Sequence, residues 1–172
     1  MENKMFCYQC QETAGCSGCT KFGVCGKSPD LARMQDLLIY ITKGLSEVTT
    51  RLRAEGVKIS KDVNHLITIN LFTTITNANF DDDVFYARVK ETLSTKEALL
   101  SKLKNKQNLS EAALWNATSN EEMDLKVGIL SKIKGAILGS GKEEIDSDID
   151  RLLDEKSTEV GVLATKDEDV RS

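Results

Sequence analysis

Hydrophobic residues recur every three or four positions after Asp30, which is the spacing of one face of an α-helix. Ser28 can cap the start of this helix, Pro29 fits its first turn, and Asp30 suits the positive end of the helix dipole. Gly56 is typical of a helix C-terminus. The pattern therefore predicts a first helix over about residues 29–55. Its apolar stripe consists of Leu31, Met34, Leu37, Leu38, Ile41, Leu45, Val48 and Leu52.

Two further helical patterns follow and predict a three-helix bundle over residues 28–108. Ser60 can cap a second helix over about residues 61–77, although the β-branched stretch "LITINLFTTIT" also permits a strand. Four turns of helical period favour the helix. The run "DDD" at residues 81–83 suits the start of a third helix, which ends within the polar residues 102–108. The two stripes consist of Val63, Leu66, Ile67, Leu71 and Ile75, then Val84, Phe85, Val89, Leu93, Leu99, Leu100 and Leu103.

Residues 109–172 form a less regular helical segment in this reading. Periodic stretches predict helices over about residues 123–138 and 143–153. The ending "TKDEDVRS" has the composition of a helix N-terminus, but the chain stops before a helix body begins. We interpret the end as a truncation point, and a frayed acidic tail is the simpler alternative. The predicted fold class is mainly α, with a cysteine-rich loop before the bundle and short helices after it.

Composition and charge narrow the function classes. The 172 residues are 40% hydrophobic and 29% charged, with a formal net charge of −4 and a pI of about 5.2, which argues against binding to nucleic acid through its phosphates. Residues 1–6 lack the apolar segment of a signal peptide, and no apolar run approaches the ~18 residues of a membrane span. We therefore expect a cytoplasmic protein with no nucleic-acid or membrane partner. In that reducing compartment, crowded cysteines favour metal binding over disulfides.

The candidate chemistry lies in the glycine-rich loop of residues 1–27, which contains all five cysteines: Cys7, Cys10, Cys16, Cys19 and Cys25. Two C-x-x-C pairs allow a four-cysteine zinc site, but zinc pairs are usually separated by a longer stretch. Four of the thiols spaced C-x2-C-x8-C-x5-C could instead surround an iron–sulfur cubane. Redox-active thiols are a third alternative, and spacing alone does not choose between Cys16 and Cys19.

The stretch "MFCYQCQETAGCSGCTKFGVCGKSPDLARMQDLLIYITKGLS" resembles the N-terminus of the hybrid-cluster (prismane) family, described as hydroxylamine reductases. The segments "TTITNANFDDDVF" and "GVLATKDEDVRS" are similar to later parts of that family. The resemblance implies that Cys7, Cys10, Cys19 and Cys25 hold a 4Fe–4S cubane and that Cys16 is a bystander thiol.

The resemblance also implies what this chain lacks. In that family the catalytic centre is a second, hybrid iron–sulfur–oxygen cluster held by His, Glu and Cys of later domains, and this chain has no cysteine after Cys25. The implied function is the electron-relay portion of an oxidoreductase that reduces hydroxylamine to ammonia and water. The implied partners are an electron-donor redox protein and the missing C-terminal domains, and the chain alone is expected to be inactive. The alternative is a zinc-stabilised helical interaction module.

Three lysines lie near the cysteines: Lys4, Lys21 and Lys27. They could balance an anionic cluster or attract an acidic electron donor. A solubilising surface role is the simpler expectation for lysine.

Overall fold

A computed structural model describes residues 5–75, 79–116 and 142–161. The described part is mainly helical, as predicted, and contains no strand beyond one isolated β-bridge. Its five α-helices are α1 (Pro29–Ala54), α2 (Lys61–Thr74), α3 (Asp82–Leu100), α4 (Glu111–Leu114) and α5 (Lys142–Glu159). None of the helices in these ranges is long and apolar enough to cross a membrane. The helix predicted over residues 123–138 and the acidic ending lie outside the described residues.

Helix α1 is the central element, because it packs against each of the other four helices. Its start is the predicted one, since the Ser28 side chain accepts a hydrogen bond from the Leu31 N–H at 3.1 Å and Pro29 is the first helical residue. It ends one residue before the predicted bound, and Gly56 follows with a φ of 80°. The whole predicted stripe is buried, so amphipathic spacing identified the core face correctly.

Helix α2 is a helix and not a strand, and its predicted cap is present: Ser60 accepts from the Val63 N–H. It ends at Thr74, before the predicted end near residue 77. The prediction of its buried face was wrong toward the C-terminal end, where Leu71 is 46% exposed and Ile75, directly after the helix, is 53% exposed. The reason is Asn70, which is buried between helices.

The Asn70 amide donates to the hydroxyls of Thr42 on α1 and Thr92 on α3, at 3.1 and 2.7 Å. Both hydroxyls are buried, so the Asn70 N–H groups find acceptors in the interior, whereas the Asn70 side-chain oxygen is buried with no partner among the described residues. This arrangement turns Asn70 inward and rotates the apolar end of α2 toward the surface.

Helix α3 begins at the acidic run, with the Asp81 carboxylate accepting from the N–H groups of Asp83 and Val84. It ends at Leu100, before the polar residues that were expected to stop it. Its core side chains pack with those of α1 and with Leu153 of α5 in one hydrophobic cluster. That cluster contains Leu31, Met34, Leu37, Leu38, Ile41, Phe85, Val89, Leu93 and Leu153.

Helices α4 and α5 also pack against α1. Helix α5 extends six residues beyond the predicted end, and its Lys156 ammonium lies 2.7 Å from a carboxylate oxygen of Glu111 on α4. The same ammonium lies 5.3 Å from the ring centre of Tyr40 and 5.7 Å from that of Trp115. A cation over two aromatic rings, which meet edge to face at 6.3 Å, joins α1, α4 and α5.

A fully buried lysine supports α4. The ammonium of Lys96 on α3 donates to the backbone carbonyls of Ala112, at 2.9 Å, and of Trp115. Burial lowers the pKa of Lys96 to about 8, and the neighbouring Glu97 charge opposes that shift. A neutral amine keeps two N–H donors, so both carbonyls remain satisfied when the proton is lost.

We expect this lysine to make stability pH-dependent. Between about pH 8 and 10.5 the unfolded chain holds a proton on Lys96 that the folded chain has released, so stability rises with pH there. Across that pH range, the free energy of unfolding of the native chain should rise by on the order of 1–3 kcal/mol relative to that of Lys96→Met. Urea unfolding of both proteins at several pH values measures the gain. Lys102→Met, at an exposed lysine, is the control, and an equal gain relative to that variant would contradict the assignment.

Candidate metal centre

The cysteine loop is held by backbone pairing between its two halves. The N–H of Cys7 donates to the carbonyl of Cys19 at 3.0 Å, and the N–H of Cys19 donates back to Cys7 at 2.9 Å. A longer bond of 3.4 Å joins Met5 to Thr20. Met5 and Cys19 are buried against Ala32 of α1, so the pair is anchored to the bundle. The fold thereby places Cys19, rather than the nearer Cys16, beside Cys7.

Cys16 lies at the surface. It ends a single 3-10 turn, Ala14–Cys16, and has a left-handed backbone with a φ of 56°. Cys16 is exposed, whereas Cys19 is only 4% exposed. The turn therefore leaves Cys16 at the surface and Cys19 buried, a difference that the cysteine spacing did not predict.

A second turn carries Cys25. The N–H of Gly23 donates to the carbonyl of Lys27 at 2.8 Å, and the N–H of Gly26 donates to Gly23 at 2.9 Å. A Cβ on Gly23 would lie 2.9 Å from the Cβ of Lys27 and 3.2 Å from the Cys25 sulfur. Only glycine therefore leaves room at this position for the thiol and the lysine stem to pack as they do.

The sulfur of Cys19 sits among hydrogen-bond donors. The Ala14 N–H lies 3.5 Å away and the Thr13 hydroxyl 3.7 Å away. Backbone hydrogen bonds from Ala14 and then Val24 lower the pKa of the Cys19 thiol, with help from Thr13 and the Lys27 charge and against the effect of burial. The thiolate is the form that binds metal, so this environment makes Cys19 a better metal ligand.

All five cysteines are free thiols, and Cys7, Cys10 and Cys25 are half-buried. Within residues 5–75, 79–116 and 142–161, no three His, Cys, Asp or Glu side chains are grouped closely enough to hold a single metal ion. The described structure therefore offers no assembled zinc site. The donor set is compatible with an iron–sulfur cluster, because thiolates that accept backbone N–H hydrogen bonds, as Cys19 does from Ala14, are ligands that such clusters use.

The sequence did not identify every residue of this site. Thr13 is buried beside Cys19, and its single O–H lies within reach of both the Cys7 carbonyl oxygen, at 3.2 Å, and the Cys19 sulfur, at 3.7 Å. Nothing in the spacing of the cysteines marks it. Lys27 was expected at the surface by default, and that was wrong: it is only 1% exposed. Its residue type gave no signal of this burial, because lysine is usually exposed.

A small cavity of about 50 Å³ lies between the loop and α1. Its walls include Cys7 and Lys27 from the loop and Gln35 and Asp36 from α1. Burial raises the pKa of Asp36 to about 7, and the Lys27 charge opposes the shift. The side-chain amide oxygen of Gln35 is buried, with no hydrogen-bond partner among the described residues. The interior beside Cys7 is therefore polar.

Comparison with known proteins gives a consistent family. The profile described as the Prismane/CO dehydrogenase family matches residues 5–162. A hydroxylamine reductase of Desulfovibrio desulfuricans is 46% identical over 172 residues, which is 100% of this chain and 26% of the relative. A hydroxylamine reductase of Clostridium perfringens is 43% identical over 174 residues, or 98% of this chain and 26% of the relative.

A protein of Clostridium acetobutylicum named hydroxylamine reductase 2 is 46% identical over 178 residues, which is 98% of this chain and 28% of the relative. The chain thus spans about a quarter of the length of the curated relatives it matches.

Proposed function

The chain belongs to the Prismane/CO dehydrogenase family, and on that premise we propose that it is the N-terminal iron–sulfur portion of a hydroxylamine reductase. The observation that carries the proposal is the 46% identity over the whole chain to a protein of that name. The parent reaction is the two-electron reduction of hydroxylamine to ammonia and water, and this portion serves electron delivery to it.

We assign Cys7, Cys10, Cys19 and Cys25 as the ligands of a 4Fe–4S cubane. When bound, such a cubane supplies one-electron transfer with little rearrangement, because charge spreads over several irons and sulfurs. The chain's own groups prepare the ligands. The Ala14 N–H and the Thr13 hydroxyl stabilise the Cys19 thiolate, and the buried pairing with Cys7 holds it away from water. Support for Cys19 over Cys16 comes from their difference in exposure.

The chain alone is proposed to be inactive on hydroxylamine. Its last cysteine is Cys25, so thiolate ligands of a second cluster would have to come from the rest of the parent protein. The proposed partners are that remainder and an electron-donor redox protein. An exposed apolar surface at the C-terminal end of α2, formed by Leu71, Phe72 and the following Ile75, supports a packing role toward further domains.

Anaerobic analysis of iron, sulfide and zinc in the purified chain tests the proposal. We expect about four irons and four sulfides per chain, and a broad absorption band near ~400 nm that bleaches on reduction. One zinc per chain without iron would instead identify a zinc-stabilised helical module. Hydroxylamine turnover by this chain with a reduced dye as donor would contradict its proposed inactivity.

A further inference from the structure

Lys27 carries its charge inside the protein, next to a proposed ligand. Its side chain is 1% exposed, and its ammonium lies 3.6 Å from the Cys7 sulfur and 3.0 Å from the side-chain oxygen of Gln9. Lysine is almost never fully buried unless its charge is compensated, because moving an ammonium group out of water costs roughly several kcal/mol in proteins. The Gln9 amide is neutral and does not supply that compensation.

The negative groups that face this ammonium are few. Besides the Cys7 sulfur, its charge acts on the Cys19 thiol and on the Asp36 carboxyl across the cavity. The other loop lysine in the described part, Lys21, is exposed. Lys27 therefore lies close to two proposed ligands, Cys7 and Cys19, whereas Lys21 points to solvent.

A buried fixed charge matters most for a group whose own charge changes. A cluster held by four thiolates is anionic and becomes more negative when it gains an electron. A nearby cation that water cannot screen stabilises the reduced form more than the oxidised form. Net charge and hydrogen bonds at the sulfurs are established determinants of iron–sulfur potentials.

We propose that Lys27 is a positioning residue that raises the reduction potential of the iron–sulfur centre by holding a buried positive charge against the Cys7 sulfur. The inference rests on the proposed function, since it requires a cluster on Cys7. It assigns specifically to Lys27 the charge-balancing role that the sequence allowed for any of the three lysines near the cysteines.

The test is a redox titration of the full 172-residue chain, loaded with iron and sulfide and handled without oxygen. Lys27→Met removes the charge and keeps the length of the side chain, Lys27→Arg keeps the charge, and Lys21→Met makes the same charge change at the surface. At a fixed potential, we expect the ratio of oxidised to reduced cluster to rise about tenfold in Lys27→Met, which is ~59 mV for one electron. Lys27→Arg and Lys21→Met should stay near the wild-type midpoint.

Each outcome decides the matter. A wild-type midpoint in Lys27→Met, or an equal shift in Lys21→Met or Lys27→Arg, overturns the proposal. If Lys27→Met holds no iron, retention of iron by Lys27→Arg supports the need for charge, and loss from both variants shows a packing role and overturns it. Absence of iron from the wild-type chain defeats the proposed function itself, and the inference with it.

Discussion

Cys19→Ser is expected to remove nearly all bound iron from the chain, from about four irons to less than one, whereas Cys16→Ser leaves the iron content unchanged. Serine has almost the size of cysteine but presents a hydroxyl in place of a thiolate, which iron–sulfur clusters require as a ligand. The backbone bonds between Cys7 and Cys19 do not involve the side chain, so the loop should keep its conformation in the variant. The effect therefore reports on ligation and not on folding.

Cys16→Ser makes the same atomic change at an exposed position of the same loop, which makes it the matched control. Iron and sulfide analysis, with visible absorption, measures the loss, and far-ultraviolet circular dichroism checks the helices. Retention of iron by Cys19→Ser together with loss from Cys16→Ser would move the ligand set to Cys16. Retention by both variants would remove these two cysteines from the centre altogether.

Gly44→Ala is expected to lower the free energy of unfolding by about 3 kcal/mol. A Cβ at this position of α1 would lie 2.0 Å from the backbone oxygen of Ala112 and 2.5 Å from its carbonyl carbon. Backbone atoms cannot rotate away, so α4 must shift as a whole. Alanine's better helix propensity, worth up to about 1 kcal/mol, offsets only part of the clash.

Shifting α4 has a second cost, because the Ala112 carbonyl accepts from the buried Lys96 ammonium. Urea unfolding followed by circular dichroism measures the loss of stability, and Lys43→Ala, at the exposed neighbouring position of α1, is the control. If Gly44→Ala proves as stable as Lys43→Ala, the close approach of α4 to α1 is refuted.

The helices were predictable because their signals are local. Ser28 and Ser60 lie directly before the turns they cap, and each apolar stripe repeats within its own segment. The buried face of α2 was not predictable in this way. Asn70 turns inward because Thr42 and Thr92 meet it there, and those residues are 28 and 22 positions away. Partners that distant leave no mark on the periodicity of α2.

The candidate site divides along the same line. The spacing identified the five cysteines as candidate ligands, but spacing alone did not choose between Cys16 and Cys19, which form one C-x-x-C pair. The prediction of Cys19 came from the family resemblance. Their difference in exposure arises from pairing across the loop. The burial of Lys27 depends on the turn at Gly23 and on a cavity wall from α1, and neither is visible in a residue type that usually points to water.

The pairing of Cys7 with Cys19 also bears on how the centre would assemble. Bringing together two thiols separated by a short loop costs a flexible chain on the order of 2 kcal/mol in closure entropy. Here backbone hydrogen bonds and the contact with α1 hold the two cysteines together through the polypeptide itself. Metal capture then loses less conformational freedom, so affinity gains from preorganisation without a new contact.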